Sequence, residues 1–235
     1  MRACPPVKTT HLVGVITCRA ELHRALRLRR PPDFFELRLD ALLPLLDEVE
    51  KKLEALPAPL IITARPPHEG GHHPLTVPRR CELHLRFLPH ATCVDLELRS
   101  LNSLRRVFER AGELGVQRIL SFHDFARTPS LPRLHRLAAA ARAAGAEIFK
   151  VATQVSSETE LQRLLDFLTT ARKQHLPVSV MGMGKFGRAS RVLLVQHGSA
   201  LNYAHLGSTA VPGQLSLPEL RRASSSPISM PNPRV

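Results

Sequence analysis

The chain has 235 residues, of which 43% are hydrophobic, and a formal net charge of +13 at pH 7. This length fits one domain of α/β-barrel size or two small domains, and the apolar content is sufficient for a sizeable core. The charge would favour an anionic substrate. The basic residues are scattered, however, and with nine Phe, one Tyr and no Trp they do not form the aromatic-interleaved basic module that reads nucleic-acid bases.

The cysteine pattern and the N-terminus indicate a cytoplasmic protein. The four cysteines, Cys4, Cys18, Cys81 and Cys93, form no CxxC pair, and the N-terminus lacks the apolar core of a secretion signal. No segment reaches the apolar length that is needed to cross a membrane. We therefore expect free thiols, no membrane partner and no nucleic-acid partner.

Short apolar runs alternate with longer amphipathic segments along the chain. The pattern predicts eight strands, at Leu12–Thr17, Asp33–Arg38, Pro59–Thr63, Ala91–Leu98, Gln117–Phe122, Glu147–Ala152, Pro177–Met181 and Leu201–His205. It predicts eight helices, at Glu21–Leu28, Leu42–Leu56, Arg79–Leu88, Asn102–Leu114, Leu131–Ala144, Glu158–His175, Ala189–Gln196 and Pro218–Arg222. A loop rich in Gly, Pro and His follows the third strand, from Arg65 to Pro74.

This alternation predicts a single-domain α/β protein with the (β/α)8 TIM-barrel fold. The barrel would span residues 12–222, between an N-terminal extension at 1–11 and a Ser/Pro-rich tail at 223–235 that we expect to be disordered. A doubly wound open sheet is the alternative. That fold would more naturally carry a Gly-rich phosphate turn after its first strand, and Thr17-Cys18-Arg19 is not such a turn.

One predicted strand contains a lysine, Lys150, in the apolar run Ile148–Ala152. Burying an ammonium group costs several kcal/mol unless the group is paired or loses its proton. A neutral amine is a nucleophile that can form a Schiff base with a ketone or aldehyde. For a lone lysine, however, a head group that reaches solvent at the end of the strand is the simpler interpretation.

A histidine on the preceding strand bears on the choice between these two interpretations of Lys150. In a TIM barrel the active site lies at the carboxyl ends of the strands, where His123 and Lys150 can face one space. The natural task of a histidine in such a place is to move a proton. The pair therefore favours a catalytic role for Lys150 over the strand-end interpretation.

Short motifs occupy the predicted strand ends and the loops after them: Glu36–Asp40, Thr63–Arg65, Glu69–Gly71, Val94–Glu97, Ser121–Phe125, Phe149–Ala152, Met181–Gly184, Ser190-Arg191 and Val211–Gln214. In this order and spacing, the chain resembles the type I 3-dehydroquinate dehydratases, the Schiff-base enzymes of the shikimate pathway. The resemblance extends from about Leu12 to Leu220, which is nearly the whole chain.

The resemblance implies a role for each matched residue. Lys150 would condense with the C3 ketone of 3-dehydroquinate, His123 would remove the C2 proton and then protonate the departing C1 hydroxyl, and Glu69 would orient His123. Arg191 would clamp the substrate carboxylate. The substrate-binding set would be Glu36, Arg38, Arg65, Arg191, Gln214, Met181, Met183 and Tyr203. The resemblance also implies a small anionic substrate, no metal, no separate cofactor and a homodimer.

Some residues depart from the family pattern or lie outside the implied site. Ala210 stands where the family often has a substrate-contacting Ser, and Tyr203 stands at a position that is usually Phe. Pro66 and Pro67 precede Glu69 and would alter the stiffness of the loop that closes over the substrate. Asp95 and Glu97 are interpreted as structural partners of neighbouring cations.

Three rival functions were weighed against the dehydratase. His68–His72 matches the HExxH pattern of zinc proteases, which requires a helix, but two prolines before it and two glycines inside it favour a loop. A class I aldolase or transaldolase would share the Schiff-base lysine, but the setting of His123 and the Glu-Gly-Gly and Pro-Gly-Gln motifs favour the dehydratase. A basic barrel that binds nucleic acid would leave Lys150 and His123 unexplained.

Overall fold

The computed structural model describes residues 10–173, 177–207 and 211–225. Within these residues the strands are β1 (His11–Ile16), β2 (Phe34–Arg38), β3 (Leu60–Thr63), β4 (Cys93–Glu97), β5 (Gln117–Asp124), β6 (Ile148–Gln154), β7 (Val178–Met183) and β8 (Leu201–His205). They are parallel and form one sheet in the order β7-β6-β5-β4-β3-β2-β1-β8, which rolls into a nearly closed barrel. This confirms the predicted TIM-barrel fold.

Helices cover the outside of the barrel. They are α1 (Arg19–Leu26), α2 (Leu46–Lys52), α3 (Val77–Phe87), α4 (Arg105–Glu113), α5 (Leu131–Ala143), α6 (Glu158–Lys173), α7 (Gly187–Gln196) and α8 (Leu217–Ser225). The last helix continues three residues beyond the predicted end of the barrel. The remainder of the predicted tail, most of the predicted N-terminal extension and the end of the helix predicted to reach His175 lie outside the described residues.

The second predicted helix, Leu42–Leu56, was wrong as a continuous element. The structure divides it into a 3-10 turn (Leu43–Leu45), the short helix α2 and a second 3-10 turn (Leu53–Ala55). Pro44 lies at the start of the first turn, where its missing N–H costs nothing. Pro57 follows the second turn and disfavours helical geometry in the residue before it, so the segment tightens and ends there.

Serine side chains help to close the barrel between β7 and β8. The backbone N–H of Ala200 donates to the carbonyl of Val178 over 2.8 Å. Ser179 donates its hydroxyl to the carbonyl of Leu201, and Ser199 both accepts from the N–H of Val180 and donates to the carbonyl of the same residue. The two strands that end the sheet therefore satisfy buried backbone groups through side chains.

Strand side chains alternate between the helical layer and the barrel interior. In β2, Phe35 and Leu37 pack in the outer core beneath the helices, whereas Phe34 belongs to the inner cluster and Glu36 lines the interior cavity. The inner positions nearest the amino ends of the strands are apolar, namely Val13, Phe34, Ile61, Cys93, Ile119 and Leu201. In β2 to β6 the inner positions that follow are polar and buried, namely Glu36, Thr63, Asp95, Ser121 and Lys150.

This change from apolar to polar inner side chains places the ionisable groups at the carboxyl end of the barrel. Lys150 points inward because Phe149 and Val151, its neighbours in β6, belong to the outer core. Within the described residues, no helix combines the length and the apolar character that a membrane crossing would need. Cys18 and Cys81 are free thiols.

Candidate active site

A cavity of about 380 Å³ opens at the carboxyl ends of the strands. Its lining contains each side chain that the sequence predicted for the site: Lys150, His123, Glu69, Glu36, Arg38, Arg65, Arg191, Gln214, Met181, Met183 and Tyr203. Residues from distant parts of the chain meet here because all eight parallel strands point their carboxyl ends towards this end of the barrel.

Lys150 is buried at the floor of the cavity and is paired with two carboxylates. Its Nζ lies 2.8 Å from Oδ2 of Asp95 and 3.5 Å from Oε1 of Glu36. The face of the Tyr203 ring adds a cation–π contact, with Nζ 3.8 Å from the ring centroid. The ammonium group therefore does not reach solvent, and opposite charges offset the cost of its burial.

A second buried cation, Arg65, ties the acidic groups of β4 together. Its Nη2 donates to Oδ2 of Asp95 over 2.7 Å, and its Nη1 donates to Oε1 of Glu97 over 3.0 Å and to the hydroxyl of Ser121 over 2.6 Å. Arg80 from α3 pairs with the other oxygen of Glu97. Asp95 and Glu97 are therefore structural partners of cations, as predicted, and Asp95 is in addition a direct neighbour of Lys150.

Charge pairing sets the ionisation of this network. Burial acts to raise the pKa of Asp95, but the positive charges of Arg65 and Lys150 outweigh burial and hold that pKa below its usual range. Burial acts to lower the pKa of Arg65, but Asp95 and Glu97 outweigh it and hold that pKa above its usual value. Asp95 and Arg65 are therefore both charged at neutral pH, and Asp95 lies beside Nζ of Lys150.

His123 and Glu69 form a pair beside this network. Nδ1 of His123 lies 2.9 Å from Oε2 of Glu69, and both side chains are largely buried. When Glu69 is a carboxylate, Nδ1–H of the imidazole donates to it, and Nε2 keeps a lone pair that can accept a proton. The other carboxylate oxygen of Glu69, Oε1, lies 2.7 Å from Nε of Arg99.

The two members of this pair have shifted pKa values of opposite sign. Burial lowers the pKa of His123 well below its usual value, and the positive charges of Arg65 and Lys150 act in the same direction. Burial raises the pKa of Glu69 to about 7, with Arg65 and Arg99 opposing that shift. The imidazole is therefore neutral at neutral pH and available as a base.

The loop that carries Glu69 is held to the barrel by several contacts. Residues Pro67–Glu69 form one 3-10 turn, which ends at Gly70 with a φ of 85°. Arg38 donates to the carbonyl of Gly70 over 2.8 Å, and its guanidinium also forms a bidentate pair with Asp40. Asp40 in turn accepts from the backbone N–H of His72 over 2.9 Å.

The conformation of this loop is incompatible with the helical HExxH motif of zinc proteases. Because Gly70 adopts a left-handed conformation, His68 and His72 do not occupy successive turns of an α-helix. The predicted loop is confirmed, and the geometry that a zinc protease requires is missing from this segment. Across the described residues, no group of three or more His, Cys, Asp and Glu side chains could hold a metal ion.

The opposite wall of the cavity has few polar contacts. Arg191 from α7 is buried, and its Nη1 donates to the carbonyl of Tyr203 over 3.2 Å. Its Nε has no hydrogen-bond partner in the described part of the chain, and none of the described carboxylates pairs with it. Burial lowers the pKa of Arg191 to about 10, so the guanidinium remains charged at neutral pH.

Apolar groups and one hydroxyl complete this wall. Met181 and Met183 of β7 are buried beside Ala152 of β6. The hydroxyl of Tyr203 is buried and has no hydrogen-bond partner within the described residues. Gln214 follows Gly213, whose φ of 84° and close approach to Gly187 of α7 leave no room for a side chain. Ala210 lies outside the described residues.

Some contributors to the site were not predicted from the sequence. Arg80 lies in α3 and Arg99 in the 3-10 turn after β4, and neither carries a local signal that would distinguish it from the many other arginines. Asp40 was noted in the motif after β2 without a role. Phe125 lies at the mouth, with its ring stacked 6.4 Å from that of His123.

Comparison with known proteins gives a consistent result. The sequence model of the family described as type I 3-dehydroquinase matches residues 13–227. A 3-dehydroquinate dehydratase of Pyrococcus abyssi is 34% identical over 195 residues, covering 80% of this chain and 85% of that protein. Another, from a Geobacillus species, is 32% identical over 233 residues, covering 93% of this chain and 86% of that protein.

Solved structures share the fold. The 3-dehydroquinate dehydratase of Geobacillus kaustophilus has a TM-score of 0.80 and 25% identity, covering 92% of this chain and 90% of that one. The enzyme of Aquifex aeolicus has a TM-score of 0.74 and 26% identity, covering 90% of this chain and 96% of that one. The match of the family's sequence model over most of the chain carries the assignment: the chain belongs to the type I 3-dehydroquinase family.

Proposed function

We propose that this protein removes water from 3-dehydroquinate to give 3-dehydroshikimate, through a Schiff base on Lys150 with His123 as base and acid. Family membership makes the chain an enzyme of the hydro-lyase class, and its curated relatives are named 3-dehydroquinate dehydratase. The observation that most supports the mechanism is that one cavity contains both a buried lysine amine and an imidazole with a free ring nitrogen.

Lys150 supplies the electron sink. The ammonium group of Lys150 gives one proton to the C3 carbonyl oxygen, and the neutral amine that results attacks the carbonyl carbon. A second Nζ proton moves to the same oxygen, which leaves as water, and a protonated iminium remains. The iminium carries a positive charge at the position of Nζ, where Asp95 and Glu36 already provide negative charge. This charge is in place before the reaction starts, so it stabilises the iminium without reorganisation.

His123 moves the proton. Its neutral Nε2 takes the proton from C2, and the electron pair of the broken C–H bond flows into the iminium to form an enamine. Glu69 stabilises the resulting imidazolium through Nδ1–H. The imidazolium then returns its proton to the C1 hydroxyl, which leaves as water while the iminium forms again. Hydrolysis of the iminium releases the product and Lys150.

The remaining residues bind and orient the substrate in this proposal. Arg191 pairs with the substrate carboxylate, since it is a buried cation without a carboxylate partner in the described residues. Met181, Met183 and Tyr203 pack against the ring. The groups proposed to contact hydroxyls and order the site are Glu36, Arg38, Arg65 and Gln214. Arg38 and Arg65 already use much of their guanidinium in protein contacts, so their main contribution is to order the site.

Further features remain proposals that the family resemblance implies. The reaction as proposed uses no metal and no separate cofactor, because the lysine amine provides the electron sink. We also propose a cytoplasmic homodimer with a single barrel domain at residues 12–222. Sedimentation equilibrium of the purified protein would test the dimer, and a monomer across the working concentration range would contradict it.

Trapping the imine tests the mechanism. We expect incubation with 3-dehydroquinate and borohydride to add one reduced adduct, which intact mass and peptide mapping place on Lys150. Lys150→Met should abolish both the adduct and the appearance of the conjugated product in the ultraviolet, whereas Lys185→Met, which removes an exposed lysine, should leave both unchanged. Melting curves verify that each variant folds.

Two results would contradict the proposal. Product formation by Lys150→Met would show that the reaction does not pass through this amine. Absence of both adduct and product in the wild-type protein would show that 3-dehydroquinate is not its substrate. The same trap with a panel of sugar phosphates would then test the class I aldolase alternative.

A further inference from the structure

A cation contacts the Glu69–His123 pair from behind. Arg99 follows β4 in the 3-10 turn Leu98–Ser100, and its Nε lies 2.7 Å from Oε1 of Glu69. The other oxygen of the same carboxylate, Oε2, faces Nδ1 of His123 over 2.9 Å. Arg99 is not part of the cavity lining, and 50% of its side chain is exposed. Arg99 therefore touches the pair from the solvent side and cannot contact a ligand in the cavity.

We propose that Arg99 is a positioning residue that acts through Glu69 and keeps one negative charge on the Glu69–His123 pair. The inference rests on the proposed function, because it assigns a partner to the proposed proton-transfer group. The role follows from geometry: the carboxylate of Glu69 bridges a cation on one side and the imidazole on the other.

The other charged groups around Glu69 already have partners. Those that act on Glu69 besides Arg99 are Arg65 after β3 and Asp95 and Glu97 on β4, and those that act on its partner His123 include Arg38 on β2 and Lys150 on β6. Arg65 and Lys150 are paired with Asp95, Glu97 and Glu36, and Arg38 is paired with Asp40. Among the described residues, Arg99 is the arginine in ion-pair contact with Glu69, and it lowers the pKa of that carboxyl alongside the larger effect of Arg65.

The sign of the effect does not depend on where the proton resides. Glu69 and His123 are close enough to titrate as a unit, and a proton taken up by either one makes the pair more positive. The positive charge of Arg99 disfavours that uptake in both cases. Burial raises the pKa of Glu69 to about 7, so the pair changes charge near neutrality, where a neighbouring cation alters its state most. Removal of Arg99 should therefore move the acid limb of activity to higher pH.

Arg99→Gln and Arg99→Lys separate charge from shape. We expect Arg99→Gln to shift the acid limb of kcat upward by about one pH unit, at the low end for a neighbouring charge because Arg99 is half exposed. The plateau of kcat at high pH and the KM should stay within about twofold of wild type, since Arg99 does not touch substrate. Arg99→Lys should keep the limb near its wild-type position.

Arg110→Gln is a matched control. Arg110 is 51% exposed, and its Nη1 lies 2.7 Å from a carboxylate oxygen of Glu113, so the substitution removes the same charge and a comparable ion pair. Arg110 lies on α4 and not in the cavity lining. We expect Arg110→Gln to leave the limb in place. If Arg110→Gln shifted the acid limb as much as Arg99→Gln does, the shift would be explained by the loss of net charge alone, and the proposal would be overturned.

A second readout needs no turnover. The imidazole resonances of His123, followed by NMR during a pH titration, report the state of the pair directly, and they should move with Arg99→Gln as the acid limb does. An unshifted titration in a folded Arg99→Gln protein would overturn the proposal even if activity fell. If the wild-type protein neither turns over nor traps 3-dehydroquinate, the function has failed, and this titration still decides the role of Arg99.

Raising the ionic strength offers a further check should Arg99→Gln not fold. A half-exposed ion pair is screened by salt, so the wild-type limb should move to higher pH between low salt and about 1 M salt. Arg110→Gln should show the same movement because it retains Arg99. If neither the acid limb nor the His123 titration of the wild-type protein moves between low salt and about 1 M salt, the proposal is overturned.

Discussion

The β3–β6 side of the cavity and the β7–β8 side satisfy their buried polar groups in different ways. On the β3–β6 side, Arg65 pairs with Asp95 and Glu97, and Lys150 pairs with Asp95, in direct ion pairs. On the β7–β8 side, the buried guanidinium of Arg191 has one carbonyl contact, and neither its Nε nor the hydroxyl of Tyr203 has a hydrogen-bond partner in the described part of the chain.

The difference separates preorganised charge from charge that awaits a ligand. A buried ion pair with additional hydrogen bonds is complete without substrate, and it holds the reacting groups in place before the reaction. A buried cation without a carboxylate bears a desolvation cost that an anionic ligand can offset. Under the proposed function, the β3–β6 side would serve the chemistry, and the β7–β8 side would serve recognition of the substrate carboxylate.

The largest expected effect is on the free energy of unfolding, when Arg65 on one side and Arg191 on the other are each replaced by methionine. Arg65→Met should lower the free energy of unfolding by about 3 kcal/mol, the low end for breaking a buried ion pair, because Asp95 keeps Lys150 and Glu97 keeps Arg80. Arg191→Met should remain within about 1 kcal/mol of wild type, because it removes one hydrogen bond together with a costly buried charge. Urea unfolding without substrate measures both values.

Equal destabilisation by these two variants would contradict the comparison, since it would mean that Arg191 has a partner as strong as those of Arg65. Should Arg65→Met not fold at all, Arg65→Lys restores the charge without the bidentate geometry. We expect that variant to fold with an intermediate loss of stability.

The next effect concerns binding. Arg191→Gln should raise the KM for 3-dehydroquinate by roughly 30- to 150-fold, or about 2–3 kcal/mol, because a pair of charge-assisted hydrogen bonds to the substrate carboxylate is lost. The kcat should change much less, since the carboxylate does not take part in the reaction. Steady-state kinetics measure the KM and the kcat separately. Borohydride trapping at saturating substrate then tests whether the imine still forms once the binding defect is overcome.

Arg188→Gln is the control for this experiment. Arg188 lies on the same helix, is exposed and pairs with Glu219. Its replacement should leave KM unchanged. If Arg188→Gln weakened binding as much as Arg191→Gln, long-range attraction of the anion by the basic surface, and not a specific clamp, would explain the effect.

The smallest expected effect concerns a neutral group on the β7–β8 side, the hydroxyl of Tyr203. Tyr203→Phe should leave the free energy of unfolding unchanged or raise it by up to about 1 kcal/mol, because the hydroxyl that it removes is buried without a partner in the described residues. The aromatic ring over Nζ of Lys150 remains, so trapping should be unaffected. A loss of more than about 1 kcal/mol in urea unfolding would show that the hydroxyl is hydrogen-bonded.

Much of the barrel was predictable from local patterns. The strand β8 was predicted with its observed bounds, and the other strands differ at their ends by one or a few residues. The long helix predicted over Leu42–Leu56 failed because apolar periodicity outweighed two prolines whose geometry favours turns. Positions of side chains relative to the barrel followed from the two-residue period of a strand, as at Lys150 between Phe149 and Val151.

The pairing inside the site was not predictable in the same way. Asp95 is predicted to be a structural partner of cations, yet it is also a close neighbour of Lys150, because β4 and β6 flank β5 and their inward side chains meet inside the barrel. The contact between Arg99 and Glu69 joins two 3-10 turns that follow different strands. No periodicity in the sequence reports which of many arginines a distant turn brings within contact of a carboxylate.

The sequence by itself determined the alternation of strands and helices, the inward direction of Lys150 and the polar residues at one end of the barrel. These properties depend on neighbours along the chain, so hydrophobic periodicity and the order of motifs are enough to read them. Only the tertiary structure decided that Lys150 and Arg65 are paired, that Arg191 has no carboxylate within the described residues and that Arg99 touches Glu69. Those contacts depend on the closure of the barrel and the paths of its loops, which set distances of a few ångströms between residues far apart in the chain.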